Sequence, residues 1–472
     1  MPETGAGGSS LYAARVPVFP KAVGGFYRRL KWWLMGITLT IYYVTPWIRW
    51  DRGAHLPDQA VLVDLAHRRF FFFWIEIWPQ EFYYVAGLLI MAGLGLFLFT
   101  SVLGRVWCGY ACPQTVWTEA YLWMERKIEG KRGQRMKLDN APNSAAKIRT
   151  KALKHTVWIA FSLWTGFTFV GYFTPIVDLG SRIITFELGP WESFWILFYG
   201  FATYGNAGWL REQVCIYMCP YARFQSAMFD SDTLVISYDP ARGDPRGARR
   251  RKFDHKAAGL GDCIDCTMCV QVCPTGIDIR DGLQYQCIAC AACVDACDQV
   301  MDQMGYPKGL IRYTTESAVS GEKPRILRPR MVVYAVGLLA LVSTLVIAIV
   351  SRTPLALDII RDRNALYRES NEGLVENVYT LKLINMDDDE HVYKISVLGI
   401  DGIDGIELDI DRNPVPVAAR EILNVSARVR ADPYSLKRSS STIIFTLEAT
   451  GDSSHRVDEE ARFLGPVSST QQ

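Results

Sequence analysis

Eight of the chain's twelve cysteines stand in two runs of the same spacing. Cys263, Cys266, Cys269 and Cys273 read C-x2-C-x2-C-x3-C, with Pro274 directly after. Cys287, Cys290, Cys293 and Cys297 repeat the run, with Asp298 in place of the proline. Three thiolates at this spacing wrap one face of an iron–sulfur cubane, and the fourth ligand comes from the other half of the repeat. The spacing therefore assigns one [4Fe–4S] cluster to Cys263, Cys266, Cys269 and Cys297. A second falls to Cys287, Cys290, Cys293 and Cys273. Zinc sites use two C-x2-C pairs rather than runs of four. Thiolates of this kind need a reducing compartment.

The other four cysteines form a second repeat. "WCGYACPQTVW" carries Cys108 and Cys112, and "VCIYMCPYARF" carries Cys215 and Cys219; both read C-x-Tyr-x-C-Pro. Four such thiols could hold a soft metal such as Cu(I), zinc or an iron–sulfur centre. They could cycle between dithiol and disulfide, or pack as small hydrophobes. Residue chemistry leaves all three open. Tyr110 and Tyr217 read as packing or supporting residues, and Met218 as core. Either a helix runs through each element, placing both sulfurs on one stripe, or Pro113 and Pro220 open new helices.

The elements that must position these residues are those of a membrane protein. Half of the 472 residues are hydrophobic, and the net charge is only +2, which excludes nucleic acid as a whole-protein partner. Five apolar segments have the length of bilayer spans: approximately Leu30–Ile48, Phe82–Leu103, Thr156–Val177, Ser193–Trp209 and Met331–Val350. Each C-x-Tyr-x-C-Pro element follows a pair of spans, the pattern of an internal duplication that brings the two face to face. Basic residues crowd the N-terminus, the loop from Arg105 to Lys154, Arg249–Lys252 and the approach to the fifth span. The positive-inside rule makes that side cytoplasmic. The aromatic stretch between Arg49 and Glu81 reads as lying in the outer interface. After Val350, alternating Val, Ile, Tyr and Thr runs predict a β-sandwich of about seven strands on the other side.

The expected layout is a tail (residues 1–29), a four-helix membrane domain (30–220), a cytoplasmic ferredoxin module (221–330), a fifth span (331–350) and a periplasmic sandwich (351–472). No paired histidines lie in the spans; His155 reads as a solvated residue at a helix start, and His67 and His391 as surface residues. There is no G-x-G-x-x-G after a strand and no phosphate loop, so electrons come from a cytoplasmic or membrane partner or from quinol.

Residues 259–307 resemble a bacterial two-cluster ferredoxin. Taken together, the five spans, two C-x-Tyr-x-C-Pro elements, double [4Fe–4S] motif and outer sandwich resemble the CcoG/FixG/RdxA family of accessory proteins for cbb3-type cytochrome c oxidase. The resemblance implies a polytopic inner-membrane protein with an inserted 2[4Fe–4S] module and a C-terminal immunoglobulin-like domain. It also implies a cupric reductase, with Cys108, Cys112, Cys215 and Cys219 as catalytic or copper-handling residues and copper as substrate or bound ion. Implied partners are the bilayer and a copper chaperone or the oxidase subunits; a homodimer stays open. The alternatives are an electron-transfer subunit of quinol dehydrogenase type and a non-enzymatic assembly scaffold.

Overall fold

The computed structural model describes residues 17–466, apart from 54–55, 227, 252, 326, 371, 388, 401–402, 404, 437 and 452–455. The chain divides into two compact units, residues 1–345 and 346–472.

The first unit opens with α1 (Phe26–Val44), closed by a 3₁₀ turn that contains Pro46. The following aromatic stretch is built of strands. It folds into an antiparallel sheet of β1 (Val61–Asp64), β2 (Arg69–Phe72) and β3 (Ile75–Ile77). Its phenylalanines alternate, Phe71 buried and Phe72 facing out, which is the period of a strand. Next comes α2 (Phe82–Leu103), without a charged residue.

The basic loop expected between Arg105 and Lys154 is mostly helical: α3 (Val106–Tyr110), α4 (Pro113–Glu129), α5 (Arg132–Asn140) and the start of α6 (Ala145–Val170). Several of its cations are paired rather than free. Glu125 of α4 binds Arg211 at 2.9 Å and Arg135 at 3.4 Å, and Glu129 takes Lys151 and Lys154, each at 2.9 Å. Arg135 is almost fully buried. Helix α6 begins at Ala145 rather than near Thr156 because the Ser144 hydroxyl oxygen accepts the Lys147 amide at 3.2 Å, an N-cap bond. It ends at Val170, short of the expected Val177.

Helix α7 (Ile176–Ile184) fills the next connection. Helix α8 (Pro190–Thr203) then gives way to π turns over Tyr204–Leu210, where Gly205 and Gly208 lie. Helices α6 and α8 touch backbone to backbone: a Cβ on Gly166 would come within 2.2 Å of the Ile196 carbonyl oxygen. Small residues give this packing to membrane helices.

After α9 (Pro220–Ser226), β4 (Val235–Tyr238) leads through α10 (Pro240–Gly243), α11 (Met268–Gln271) and α12 (Ala292–Met304) to β5 (Ile311–Thr314). Strands β4 and β5 pair antiparallel. The strand pair lies outside residues 259–307, which resemble a ferredoxin, but inside the expected module of residues 221–330; the cysteine spacing does not announce it. The module's core joins Ile236, Met301, Leu310 and Ile311 to Cys263 and Cys269. Helices α13 (Glu316–Val319) and α14 (Pro329–Val350) complete the unit's secondary structure. By length and composition, the helical segments 79–103 and 329–350 can each cross a bilayer, with mean hydropathies of 2.2 and 2.6. In α14, Val333, Leu339 and Ile347 are each 67% exposed, an apolar surface suited to lipid.

The second unit is a sandwich of two antiparallel sheets. One holds β6 (Leu355–Arg361), β7 (Arg368–Glu369), β8 (Val375–Asn385), β10 (Glu407–Ile410) and β12 (Ile422–Ala431). The other holds β9 (His391–Gly399), β11 (Val415–Val417), β13 (Ser440–Ala449) and β14 (Arg456–Leu464). Nine strands are present among the described residues, not seven. Strands β7 and β11 have two and three residues, too few to show a period. The two inner faces meet in one core, with Tyr379, Leu381 and Leu383 on one side and Tyr393, Ile395 and Phe445 on the other. Phe445→Ala is expected to cost about 3–5 kcal/mol, seen as a lower urea midpoint for residues 346–472 expressed alone. Lys394→Ala, on the exposed face, should stay within about 0.5 kcal/mol.

Candidate functional site

The two cysteine runs fold alike. In the first, Asp265 and Thr267 have left-handed φ of 50° and 53°; in the second, Ala289 and Ala291 have 51° and 53°. These are equivalent positions, on either side of the middle cysteine of each C-x2-C-x2-C. Alternating hand turns successive backbone N–H groups to one side, a concavity that binds anions and iron–sulfur centres. Helices α11 and α12 start directly after Thr267 and Ala291.

Proximity among the thiols follows the crossed pattern. Cys297 lies close enough to Cys269, Cys263 and Cys266 for their charges to act on it. Cys293 is acted on most by Cys290, Cys287 and Cys273. A small cavity is bordered by Cys273, Cys287, Cys290 and Cys293, and also by Cys269. Among the described residues, no three His, Cys, Asp or Glu side chains are arranged to hold a single metal ion. The thiols instead border a space, as a four-iron group requires, and the residues fit that group. Burial pushes the Cys287 and Cys297 thiols up to about 12 and Cys269 to about 11. The difference after the last cysteine also has a cause. Pro274 follows the end of α11, whereas Asp298 lies inside α12, where a proline would break the helix. Its carboxylate accepts the Gly309 amide at 3.0 Å.

As in the second of the two conformations expected for the C-x-Tyr-x-C-Pro elements, Pro113 and Pro220 open new helices, α4 and α9, but the cysteines do not all lie in a preceding loop: Cys108 is in α3 and Cys215 in π turns over Val214–Met218. The duplication extends to single hydrogen bonds. The Cys112 amide donates to the Trp107 carbonyl at 3.0 Å, and the Cys219 amide to the Val214 carbonyl at 2.8 Å, five residues back in both cases. The elements meet: Cys108 is acted on by the charges of Cys112, Cys215 and Cys219, and its thiol reaches Gln225 of α9 at 3.5 Å. Burial pushes Cys108 and Cys215 up to about 12. Tyr110 is buried as expected, but Tyr217 is 50% and Met218 58% exposed, so Met218 is not core. His155 is not at a helix start; it lies within α6, its Nδ1 2.9 Å from the Tyr204 hydroxyl. His67 is a surface residue beside Asp64, and His391 lies 2.8 Å from an Asp387 carboxylate oxygen.

Five residues that the motifs did not single out join these parts, together with Tyr110. Gly109, between the first cysteine and the tyrosine, rests on the cluster loop; a Cβ there would lie 2.7 Å from the Ile288 oxygen and 2.9 Å from Cys290 Cα. The Tyr110 hydroxyl donates to the Cys290 carbonyl at 3.4 Å, and Tyr313 to the Ala289 carbonyl at 2.5 Å. Arg105 is buried and donates to the carbonyls of Ala222, Tyr285 and Cys287. Asp295, in α12 between two cluster cysteines, accepts the Arg28 amide at 2.7 Å at the start of α1. Glu119 of α4 binds Arg28, Lys31 and Arg126. Burial alone would raise its carboxyl, but these cations hold it well below the usual carboxylate range. Between the thiol elements and the cluster loops lies a cavity of about 490 Å³, reached by Lys31, Thr115, Glu119, Arg211, Cys215 and Thr275.

Gly109→Ala should therefore push the Ile288–Cys290 loop, an overpacking worth about 1–3 kcal/mol. The expected result is lost iron or altered EPR g values in the reduced protein. Gly36→Ala, in α1 with open space around it, should leave both unchanged.

Comparison with known proteins matches these parts. A family model described as a 4Fe–4S dicluster domain matches residues 210–316, and one described as a 4Fe–4S binding domain matches residues 85–131. A third, the IG-like fold at the C-terminus of the oxidoreductase FixG, matches residues 345–466. Protein RdxB of Cereibacter sphaeroides is 50% identical over 398 residues, covering 82% of this chain and 83% of its own length. RdxA of the same organism is 46% identical over 423 residues, covering 87% and 88%. The nitrogen fixation protein FixG of Rhizobium meliloti is 46% identical over 423 residues, covering 83% and 80%. A crystal structure of a FixG-related protein from Vibrio parahaemolyticus, 31% identical, covers 24% of this chain and 98% of its own, with a TM-score of 0.22. With such identity over at least 80% of each curated relative, the chain belongs to the CcoG/FixG/RdxA family of iron–sulfur oxidoreductases.

Proposed function

We propose that the protein is a five-span inner-membrane cupric reductase that supplies Cu(I) during assembly of cbb3-type cytochrome c oxidase. The observation that carries the reading is the seat of Gly109 and Tyr110 on the Cys287–Cys290 loop. It puts the four-thiol site and an iron–sulfur binding loop in van der Waals contact. Cys263, Cys266, Cys269 and Cys297 hold one [4Fe–4S] cluster, and Cys287, Cys290, Cys293 and Cys273 the other. The crossed proximity of Cys297 and Cys273 supports this division. Bound there, the clusters supply electrons one at a time.

Cys108, Cys112, Cys215 and Cys219 receive the copper. Soft thiolates favour Cu(I) over Cu(II), so the site both pulls the one-electron reduction forward and holds its product. Burial keeps Cys108 and Cys215 protonated without metal, and copper binding displaces those protons. The ferredoxin-like module faces the cytoplasm and the sandwich the periplasm, where it suits an oxidase subunit or a copper chaperone.

A second reading draws on the match of residues 85–131 to a 4Fe–4S binding domain. The four thiols then hold a further iron–sulfur centre, and the protein is an electron-transfer subunit. One experiment separates the two. Protein purified anaerobically is reduced, freed of reductant and given Cu(II), while cluster EPR and a Cu(I)-specific chelate are followed together. The variant Cys108→Ser/Cys112→Ser/Cys215→Ser/Cys219→Ser is expected to keep about eight irons per chain and to lose Cu(I) formation. Equal copper reduction by both proteins would overturn the copper site. A loss of about four irons would establish the second reading.

A further inference from the structure

A third cavity, of about 250 Å³, is bordered by Cys287 and Ala289. Its walls include Phe229, Leu234, Ile236 and Leu283. It lies at the ends of both apolar helices. The Leu234 amide donates to the Val102 carbonyl of α2 at 3.2 Å, and Arg328, leading into α14, donates to the Ser101 carbonyl at 2.7 Å. Three polar side chains also line it, Arg105, Gln284 and Tyr285, and the Gln284 amide already donates to the Asp278 carbonyl. Arg105 is 7% exposed, and its Nη atoms are held by backbone carbonyls. Its Nε, like the buried hydroxyl of Tyr285, has no hydrogen-bond partner in the protein. Leaving a buried donor unmet costs about 1–3 kcal/mol, and both residues that carry these donors line the cavity. Binding sites are typically apolar with a few placed polar groups.

We infer that this cavity binds the head group of a membrane quinol, the electron donor to the iron–sulfur module; the inference rests on reading the chain as an electron-transfer protein, not on copper as its acceptor. A quinone head is flat and neutral and carries acceptor oxygens for Arg105 and Tyr285, and its apolar tail is delivered by the bilayer at the ends of α2 and α14. A nucleotide or flavin would need a phosphate cradle, and the one cation here already has two of its nitrogens on carbonyls. Quinol leaves as quinone, giving up two electrons and two protons. The clusters that the two cysteine runs would hold would take the electrons singly, one each, and the protons go to water at the cavity mouth.

The test uses the full chain in detergent and the quinol analogue 2-heptyl-4-hydroxyquinoline N-oxide, whose fluorescence is quenched on binding. Saturable one-to-one quenching is expected. Leu283→Trp, which fills the cavity, should weaken it at least tenfold, and Tyr285→Phe severalfold. Leu366→Trp, in the second unit, should not change it. Decyl-quinol should bleach the cluster absorbance of the wild type at least tenfold faster than that of Leu283→Trp, with dithionite bleaching both. Absent quenching, or equal quenching and bleaching in wild type and both cavity variants, would overturn the site. So would reduction by a soluble ferredoxin or flavodoxin where quinol reduces neither protein. Copper reduction by dithionite-reduced wild type is scored separately, so its failure would remove the cupric reading and leave quinol binding standing.

Discussion

One contact governs the first unit: Gly109 laid against the backbone of Ile288–Cys290. It leaves no room for a side chain, so the spacing between the first thiol pair and the second cysteine run is set by backbone thickness alone. Tyr110 and Tyr313 hold the same loop through the carbonyls of Cys290 and Ala289. Arg105 pins its beginning and reaches across to Ala222 behind the second thiol pair. A single buried guanidinium thus joins both copies of the duplicated element to the ferredoxin-like module. Its planar fork suits that task better than a lysine, because several carbonyls are met at once.

The first turns of the N-terminal helix are tied in by charge, while Tyr42 and Tyr43 near its other end pack on Trp117 and Phe161. Asp295 caps α1 from within α12, and Glu119 gathers Arg28, Lys31 and Arg126. Ion pairs this deep stabilise little against apolar substitutes, but removing one partner strands a buried charge. Their effect is to fix register: α1 cannot slide along α4 without unpairing Glu119. The fixed register holds the 490 Å³ cavity, lined by Lys31, Glu119 and Cys215, in one shape.

The sequence made some of this legible and hid the rest for physical reasons. Iron–sulfur spacing is local chemistry, so the ligand runs could be read directly. The prolines of the thiol elements narrowed the backbone to two choices. Hydropathy placed five helices, with both ends of α2 and the end of α14, but not the ends of α6 and α8, because Ser144 starts α6 within a basic stretch and π turns extend α8. Strands as short as β7 and β11 carry no period. Arg105 and Gly109 were invisible for another reason: their partners lie about 180 residues away in sequence. A single sequence shows one more cation and one more glycine.

The duplication itself did not stay symmetric. Both copies keep the same five-residue hydrogen bond before the proline, so the backbone template is shared. In the first copy the residues between the cysteines are Gly-Tyr-Ala, small enough to seat on the cluster loop with Tyr110 buried. In the second they are Ile-Tyr-Met, and Tyr217 and Met218 face outward. One copy is committed to the module; the other keeps an open side. Four equivalent thiols would give a symmetric cage. Two pairs in unlike surroundings give an inner edge against the Ile288–Cys290 loop and an outer edge beside the exposed Tyr217 and Met218.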